Sequence, residues 1–333
     1  MTWRVYTDGK RLALGAPTTA AAWVGDTCLF ALGDGAVVVA NFEGHKRAQA
    51  HDGAALCATP HPEGAGLLTG GDDGRLALTT PAGETQTFAA LGRKWIDHVV
   101  ASPATGVIAA AQGKEAAIFK AGAREPSHRF AYPSTLGGLA FDAKGRRLAG
   151  AHYGGATLRY ALIEEDAGTT CKWAGSHIGV TISPEGDYVI TAMQETGLHG
   201  WRMPDKLDLR MTGYPAKTRN FSWDKRGRWL ASSGANCVVI WPFTGKLGPQ
   251  GKPPVLVGER PALVTAVAFH PKDERLAIGY SDGLVRLEKL DDRDVLVELD
   301  EPGEGAVTAL AWNADGTALA VGDDAARGAL IRI

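Results

Sequence analysis

The sequence predicts an all-β fold assembled from one repeated unit, and three observations lead to this prediction. A similar phrase returns eight times at intervals of roughly 40 residues, most clearly as VTISPEGDYVITA at 180–192, VAFHPKDERLAIG at 267–279 and LAWNADGTALAVG at 310–322. Within each phrase, apolar residues alternate with small or polar ones, which is typical of strands. Pro, Asp and Gly recur between the two apolar runs and predict a hairpin turn.

Each repeat begins with an apolar first strand, passes through the turn into a second strand and continues into a shorter third strand. The repeats begin near residues 20, 55, 97, 136, 177, 218, 263 and 306. Outside the three phrases quoted above, second strands are predicted at 28–32, 67–71, 107–111, 147–150 and 229–233. Third strands are predicted at 75–78, 116–119, 156–160, 238–241 and 284–288, among others. No long window has helical spacing, and the acidic run 164–166 is too short to seed a helix.

This pattern resembles the WD40 family of β-propellers over nearly the whole chain. The resemblance implies a single domain, residues 1–333, of four-stranded antiparallel blades around a central channel. Eight repeats predict eight blades, and seven, the commoner number in the family, is the alternative. The Trp-Asp dipeptide that closes a family repeat survives only in part, since Arg202 follows Trp201 and Pro242 follows Trp241. The family's Asp–His–Ser/Thr–Trp hydrogen-bond set is therefore not carried over to this chain.

The last repeat supplies three strands, so its blade lacks an outer strand. The amino-terminal segment 1–14 can provide that strand, through either residues 2–6 or residues 11–14. Pairing the two ends of the chain in one blade removes two open sheet edges, which otherwise template aggregation. We therefore expect an N-terminal strand to complete the last blade.

The chain has 333 residues, a net charge of −2 and 43 glycines, which suits a protein with many short strands and turns. A net charge near zero argues against nucleic-acid binding, which normally needs a basic patch or stripe. Basic residues do cluster in two predicted hairpin turns. We favour the interpretation that these side chains are solvated, and the alternative is that they form an edge that contacts phosphate or a partner. These residues are Lys144, Arg146, Arg147, Lys225, Arg226 and Arg228.

Cysteine usage and the start of the chain predict a reducing compartment. The four cysteines are scattered and form no Cys-x-x-Cys pair: Cys28, Cys57, Cys171 and Cys237. The first residues hold no apolar signal region, and no apolar run approaches the roughly 20 residues that span a bilayer. We expect a cytoplasmic monomer without membrane association. The alanine-rich, lysine-poor composition is typical of a GC-rich bacterial genome.

Sequence motifs for common catalytic and phosphate-binding sites are absent, which predicts a protein that is not an enzyme and has no cofactor. One set of residues suggests otherwise. His98, His152 and His177 come from consecutive repeats and are predicted to face one end of the channel. Three imidazoles could bind zinc or a similar divalent transition metal, with Asp72 beside them. A metal- or small-ligand-binding propeller is thus the alternative function, and a wet channel mouth is the simpler interpretation of the histidines.

Aromatic and basic residues are concentrated in the loops that precede first strands and in the equivalent turns. In the family that the chain resembles, loops at this end commonly hold peptide segments of partners. Interface hot spots favour aromatics and Arg because these side chains bury large areas at low entropic cost. The predicted partner-binding residues are Trp95, Tyr132, Tyr153, Trp173, Tyr214, Lys217, Arg219, Arg260 and Tyr280. The leading hypothesis is a non-catalytic scaffold that binds a protein or peptide on this loop-rich face, and packing of some of these aromatics in the core is the alternative.

Overall fold

The computed structural model describes residues 9–203, 205–290, 295–300 and 305–333, with the backbone alone for 295–300. These residues form thirty β-strands and no helix. In six of the seven described sheets the strands lie in chain order as a meander, and in the seventh the first strand of the chain joins the last three. An all-β fold is therefore confirmed.

Residues 9–131 contain β1 to β13. The strand β1 (Gly9–Ala13) belongs to the last sheet. The next three sheets have four strands each, in chain order. They are β2 (Thr18–Val24), β3 (Thr27–Leu32), β4 (Ala36–Ala40) and β5 (His45–Gln49); β6 (Ala55–Pro60), β7 (Leu67–Gly71), β8 (Arg75–Thr79) and β9 (Thr85–Ala90); and β10 (His98–Ser102), β11 (Val107–Gln112), β12 (Glu115–Phe119) and β13 (His128–Ala131).

A six-stranded sheet follows in the middle of the chain, and its two longest strands have 14 residues each. Its strands are β14 (Gly138–Phe141), β15 (Arg147–Tyr160), β16 (Thr169–Ile182), β17 (Tyr188–Met193), β18 (Gly197–Arg202) and β19 (Leu207–Met211). Three four-stranded sheets complete the described fold, the last one in the order β1-β30-β29-β28. Their strands are β20 (Phe221–Trp223), β21 (Trp229–Ser232), β22 (Val238–Pro242) and β23 (Val255–Val257); β24 (Val264–Phe269), β25 (Arg275–Tyr280), β26 (Val285–Lys289) and β27 (Val295–Asp300); and β28 (Val307–Trp312), β29 (Ala318–Asp323) and β30 (Arg327–Arg332).

The described strands make seven sheets, so the prediction of eight separate blades was wrong and the alternative number, seven, is the observed one. The reason lies in the two long strands. The β16 strand pairs with β15 through residues 169–176 and with β17 through residues 177–182. Because one continuous strand serves both the fourth and the fifth repeat, these two repeats share the six-stranded sheet.

The amino-terminal strand completes the last sheet, as predicted. The β1 strand pairs antiparallel with β30, from Gly9 opposite Ile331 to Ala13 opposite Arg327. Leu14 continues the pairing by donating its backbone N–H to the carbonyl of Ala326 (2.9 Å). Of the two candidate segments, residues 11–14 thus lie at this edge, and residues 2–6 lie outside the described residues.

Backbone proximity divides the chain into two compact units. Among the described residues, unit 1 lies within 9–30, 40–45 and 213–333, and unit 2 within 31–39 and 46–212. In each unit the apolar core lies between successive sheets. In unit 2, for example, Leu68 and Leu76 of one sheet pack with Ile108 and Phe119 of the next. In unit 1, one cluster combines residues of β21 and β22 with residues of β24 and β25.

Candidate partner-binding surface

Two of the predicted binding residues are large aromatics that the fold leaves in solvent. Tyr153 is 68% exposed and Trp95 is 59% exposed. Both belong to unit 2, as does the half-buried Trp173. We refer to Trp95, Tyr153 and Trp173 as the aromatic loop surface. Large exposed aromatic rings are candidates for a contact with another molecule.

Hydrogen bonds hold the loop that carries Trp95. The side-chain amide of Gln112 donates to the carbonyl of Lys94, the residue before Trp95 (2.7 Å). The next residue after Gln112, Gly113, accepts a hydrogen bond from the backbone of Leu136 (2.8 Å). The loop before the third repeat, the turn at Gly113 and the loop before the fourth repeat are therefore linked side by side.

The same network continues to Tyr153. Its backbone N–H donates to the hydroxyl of Ser134 (2.9 Å), and the residue lies opposite Ser176 in the β15–β16 pairing. The register shifts between Tyr153 and Gly155, which leaves Trp173 without a direct partner in that pairing. A bulge of this kind redirects side chains, and here Tyr153 and Trp173 lie on the two paired strands beside it.

Stacking fixes the indole of Trp173. The imidazole of His199 is stacked on it at 4.1 Å between ring centroids, and the Arg210 guanidinium lies 4.2 Å from the centroid of the indole. His199 also pairs with Asp208 (3.1 Å), and burial nevertheless lowers the pKa of this histidine. His199 is therefore a neutral aromatic platform near pH 7, and the preorganised indole can bind a ligand at a small entropic cost.

Exposed charge around the aromatic loop surface is mainly positive. Five exposed cations lie on the linked loops and strand ends: Arg93, Lys94, Lys114, Lys172 and Arg210. On the same segments Asp97 and Glu115 are half-buried, and the exposed Asp208 pairs with His199. The exposed Glu195 accepts a hydrogen bond from the backbone of Ser176 (3.4 Å). Aromatics surrounded by cations favour a ligand that combines apolar and acidic groups.

Three of the predicted binding residues are buried tyrosines, so a partner cannot reach their rings. Tyr280 is 0% exposed, Tyr132 4% and Tyr214 6%. The hydroxyl of Tyr214 lies 2.6 Å from that of Ser232 and accepts a hydrogen bond from the indole of Trp241 (2.7 Å). Burial raises the pKa of Tyr214 to about 12 despite these hydrogen bonds. Their rings are part of the buried interior, and a role of these three tyrosines in partner binding stays a prediction.

The remaining predicted residues lie in unit 1. Arg219 is exposed and Lys217 is half-buried. Arg260 forms a two-pronged ion pair with Asp282 (3.1 and 2.8 Å) and lies 4.9 Å from the ring centroid of Tyr280. An arginine held in this way covers the tyrosine ring and fixes its loop.

The histidines proposed as metal ligands have other partners. His152 is hydrogen-bonded to the carbonyl of Tyr153 (2.9 Å) and to the hydroxyl of Thr157 (2.9 Å). His177 contacts the carbonyl of Trp173 (3.0 Å) and the hydroxyl of Thr191 (2.7 Å).

The third candidate ligand, His98, is half-buried, and burial lowers its pKa. Among the described residues no group of three His, Cys, Asp or Glu side chains is arranged to hold a metal ion. Metal binding by these three histidines stays a prediction, and elemental analysis of untagged protein would test it.

One polar network in the second repeat escaped the sequence analysis. His51, which is fully buried, contacts the hydroxyl of Thr69 (2.8 Å) and the carboxylate of Asp73 (3.1 Å). Arg75 adds a two-pronged ion pair to Asp73 (2.9 and 2.8 Å). Burial raises the pKa of Asp73, but hydrogen bonds from Arg75 and Asp52 and the nearby His51 prevail and lower it to about 2. In the sequence, His51 lies a few residues before a predicted first strand, and this position could have indicated the polar network.

Comparisons with known proteins agree with this architecture. Residues 254–287 match the family model described as WD domain, G-beta repeat. The solved structure of a computationally designed protein, Ika8, superimposes with a TM-score of 0.78 at 13% sequence identity, over 96% of each chain. At this identity the likeness shows the fold alone. No curated protein sequence matches the chain.

The repeat match and the four-stranded antiparallel sheets define the class of the protein. The described strands form the sheets of a β-propeller, and residues 254–287 are a repeat of the WD40 type. No helix long and apolar enough to cross a bilayer occurs in the described part of the chain.

Proposed function

We propose that this protein is a non-catalytic interaction scaffold whose aromatic loop surface binds a peptide segment of a protein partner. WD40 propellers commonly act as protein-interaction scaffolds, which gives the general expectation. The observation that carries the proposal for this chain is the exposure of Tyr153 and Trp95 on hydrogen-bonded loops of unit 2. Trp173, fixed by stacking, supplies a third ring.

The charge around the rings defines the chemistry of the partner. Exposed cations such as Lys94, Lys172 and Arg210 favour a segment in which acidic residues flank an aromatic or aliphatic anchor. Each buried anchor of this type contributes about 2 kcal/mol to binding. Two or three of them support a micromolar complex.

Affinity capture from the native cell lysate tests the proposal. We compare the wild type with a Trp95→Ala/Tyr153→Ala variant and with a matched control, Tyr160→Ala/Leu162→Ala. The control removes two side chains of unit 2 that are 50% and 51% exposed but lie outside the aromatic loop surface. We expect a partner that the wild type and the control retain and the first variant loses.

The captured protein is then purified and its affinity measured directly. Truncation of both anchors should weaken binding at least tenfold per anchor, and added salt should weaken it further because the surface is cationic. Equal capture by the wild type and the Trp95→Ala/Tyr153→Ala variant would contradict the proposed function.

A further inference from the structure

Two hairpin turns of unit 1 enclose a pocket with a volume of about 300 Å³. One turn joins β20 to β21 in the sixth repeat, and the other joins β24 to β25 in the seventh. We name it the basic turn pocket, and its lining residues are Asp224, Lys225, Arg226, Arg228, Lys272, Asp273, Glu274 and Lys289. Five cations thus face three carboxylates, although the whole chain has a net charge of −2.

The three carboxylates of the pocket are already engaged. Asp224 accepts a hydrogen bond from the backbone of Trp229 (2.8 Å) and lies 3.5 Å from the guanidinium of Arg228. Glu274 pairs with the same arginine.

The third carboxylate, Asp273, accepts hydrogen bonds from the guanidinium of Arg275, with a closest contact of 2.8 Å. Because Arg275 is not part of the pocket lining, Asp273 is balanced by a cation from outside the pocket. Paired carboxylates repel an incoming anion only weakly.

Several cations of the pocket remain available. Lys225 and Arg226 are exposed and form no ion pair with any residue in the described part of the chain. Lys272 pairs with Asp315 (2.9 Å), but both side chains are mostly exposed, and such pairs contribute little energy. Lys272 can therefore turn toward a ligand at a small cost.

The backbone of the sixth-repeat turn is preorganised. Gly227 has a φ of +67° and donates its N–H to the carbonyl of Asp224 (3.0 Å). Only glycine adopts a left-handed backbone conformation at this position with a small energetic cost. The turn therefore presents Lys225 and Arg226 from a fixed backbone, which lowers the entropic cost of binding.

We propose that the basic turn pocket binds a small multivalent oxyanion, such as the pyrophosphate moiety of a phosphorylated metabolite. Lys and Arg side chains that converge on a concave site are suited to phosphate oxygens. The exposed carboxylate of Asp315, beside Lys272, limits the basic area on that side and would repel an extended polyanion. This favours a compact ligand over a nucleic-acid backbone. The proposal does not depend on the aromatic loop surface.

Isothermal titration of the full chain with pyrophosphate tests the proposal. The test variant is Lys225→Glu/Arg226→Glu, and the matched control is Lys144→Glu/Arg146→Glu. The control makes the same change of charge in the equivalent turn of the fourth repeat, where Gly145 has a φ of +64° and Asp142 caps the backbone of Arg146 (2.7 Å). All four side chains are exposed, and circular dichroism and thermal unfolding would verify that both variants fold.

We expect pyrophosphate to bind to the wild type and the control at low salt, and to bind at least tenfold more weakly to the test variant. Binding should also weaken when 300 mM NaCl is added, because exposed charges are then screened over a few ångströms. No binding to the wild type, or an equal loss in both variants, would overturn the proposal. A single-stranded oligonucleotide that binds more tightly than pyrophosphate, with the same loss in the test variant, would replace the small oxyanion with a phosphodiester chain.

Discussion

Truncation of Leu14 tests whether the amino-terminal segment holds the last sheet together. Leu14 follows β1 directly and is 1% exposed. Its side chain packs against Gly328 of β30, in space that a side chain at position 328 would occupy. A Cβ at Gly328 would lie 2.8 Å from the Leu14 side chain. Leu14→Ala keeps the backbone pairing and removes only this packing.

The expected cost follows from burial. Complete burial of a leucine side chain is worth about 1.5–3 kcal/mol, and a cavity that the surrounding structure fills only in part adds to the loss. We therefore expect Leu14→Ala to lower the free energy of unfolding by about 3 kcal/mol. Deletion of residues 1–14 should cost more, because it also exposes the edge of β30.

Urea denaturation followed by tryptophan fluorescence measures this effect. The control is Leu256→Ala, the same substitution at a strand position that is 54% exposed, which should change stability by less than about 0.5 kcal/mol. If Leu14→Ala unfolded at the same urea concentration as the wild type, the amino-terminal segment would not be part of the cooperative fold, and our account of the last sheet would be wrong.

Three further predictions concern buried polar groups and one turn. Burial lowers the pKa of six histidines in the folded protein, so below pH 6.5 the unfolded chain binds more protons than the folded one. The free energy of unfolding should therefore fall when the pH is lowered from 7.5 to 5.5. An unchanged urea midpoint would contradict this. These histidines are His61, His98, His128, His177, His199 and His270. Burial raises the pKa of Glu288, and its Oε1 accepts no hydrogen bond from the described residues. As the pH rises through this raised pKa, the buried carboxylate becomes charged and the folded protein loses stability. In the same urea assay, Glu288→Gln should therefore stabilise the protein by about 1 kcal/mol at pH 8 and by less at pH 5. Equal stabilisation at both pH values would contradict this prediction. Gly35 has a φ of +82°, and a Cβ there would lie 2.0 Å from the carbonyl of Gly53, so Gly35→Ala should cost about 2–3 kcal/mol in thermal or urea unfolding. Gly25→Ala, with a φ of +60° and open space around it, should cost about 1 kcal/mol, and similar losses for both would show that backbone strain alone decides the effect.

Local chemistry made the hairpins predictable from the sequence. In the sixth repeat, Asp224 caps the backbone of Trp229, and Gly227 adopts the left-handed conformation that the turn requires. Both roles depend on residues within five positions of each other, which a single sequence displays. The closing strand was also predictable, because the last repeat lacked an outer strand.

The merging of two repeats into one sheet was not predictable in the same way. The β16 strand runs without interruption from Thr169 to Ile182, although the sequence between the fourth and fifth repeats reads as a boundary. Continuity there depends on pairing with β15 on one side and β17 on the other. The residue pattern of 169–182 alone does not show that both pairings are made by one unbroken strand.

For the tyrosines, burial was the less favoured of the two interpretations, for a related reason. Tyr214 is a polar aromatic in a loop, and its sequence neighbours suggest exposure. Its hydroxyl is satisfied by Ser232 and Trp241, which lie in the following strands of the same repeat. The basic turn pocket likewise joins residues of two repeats, such as Arg228 and Glu274, that only the fold brings together.

Site-specific photocrosslinking tests the central claim most directly. Benzoylphenylalanine is introduced in place of Tyr153, which is 68% exposed on the aromatic loop surface, and separately in place of Tyr160, which is 50% exposed outside it. Irradiation in the native lysate should give a discrete crosslinked partner from position 153 and none from position 160. The same products from both positions, or none from position 153, would contradict a partner-binding role for the aromatic loop surface.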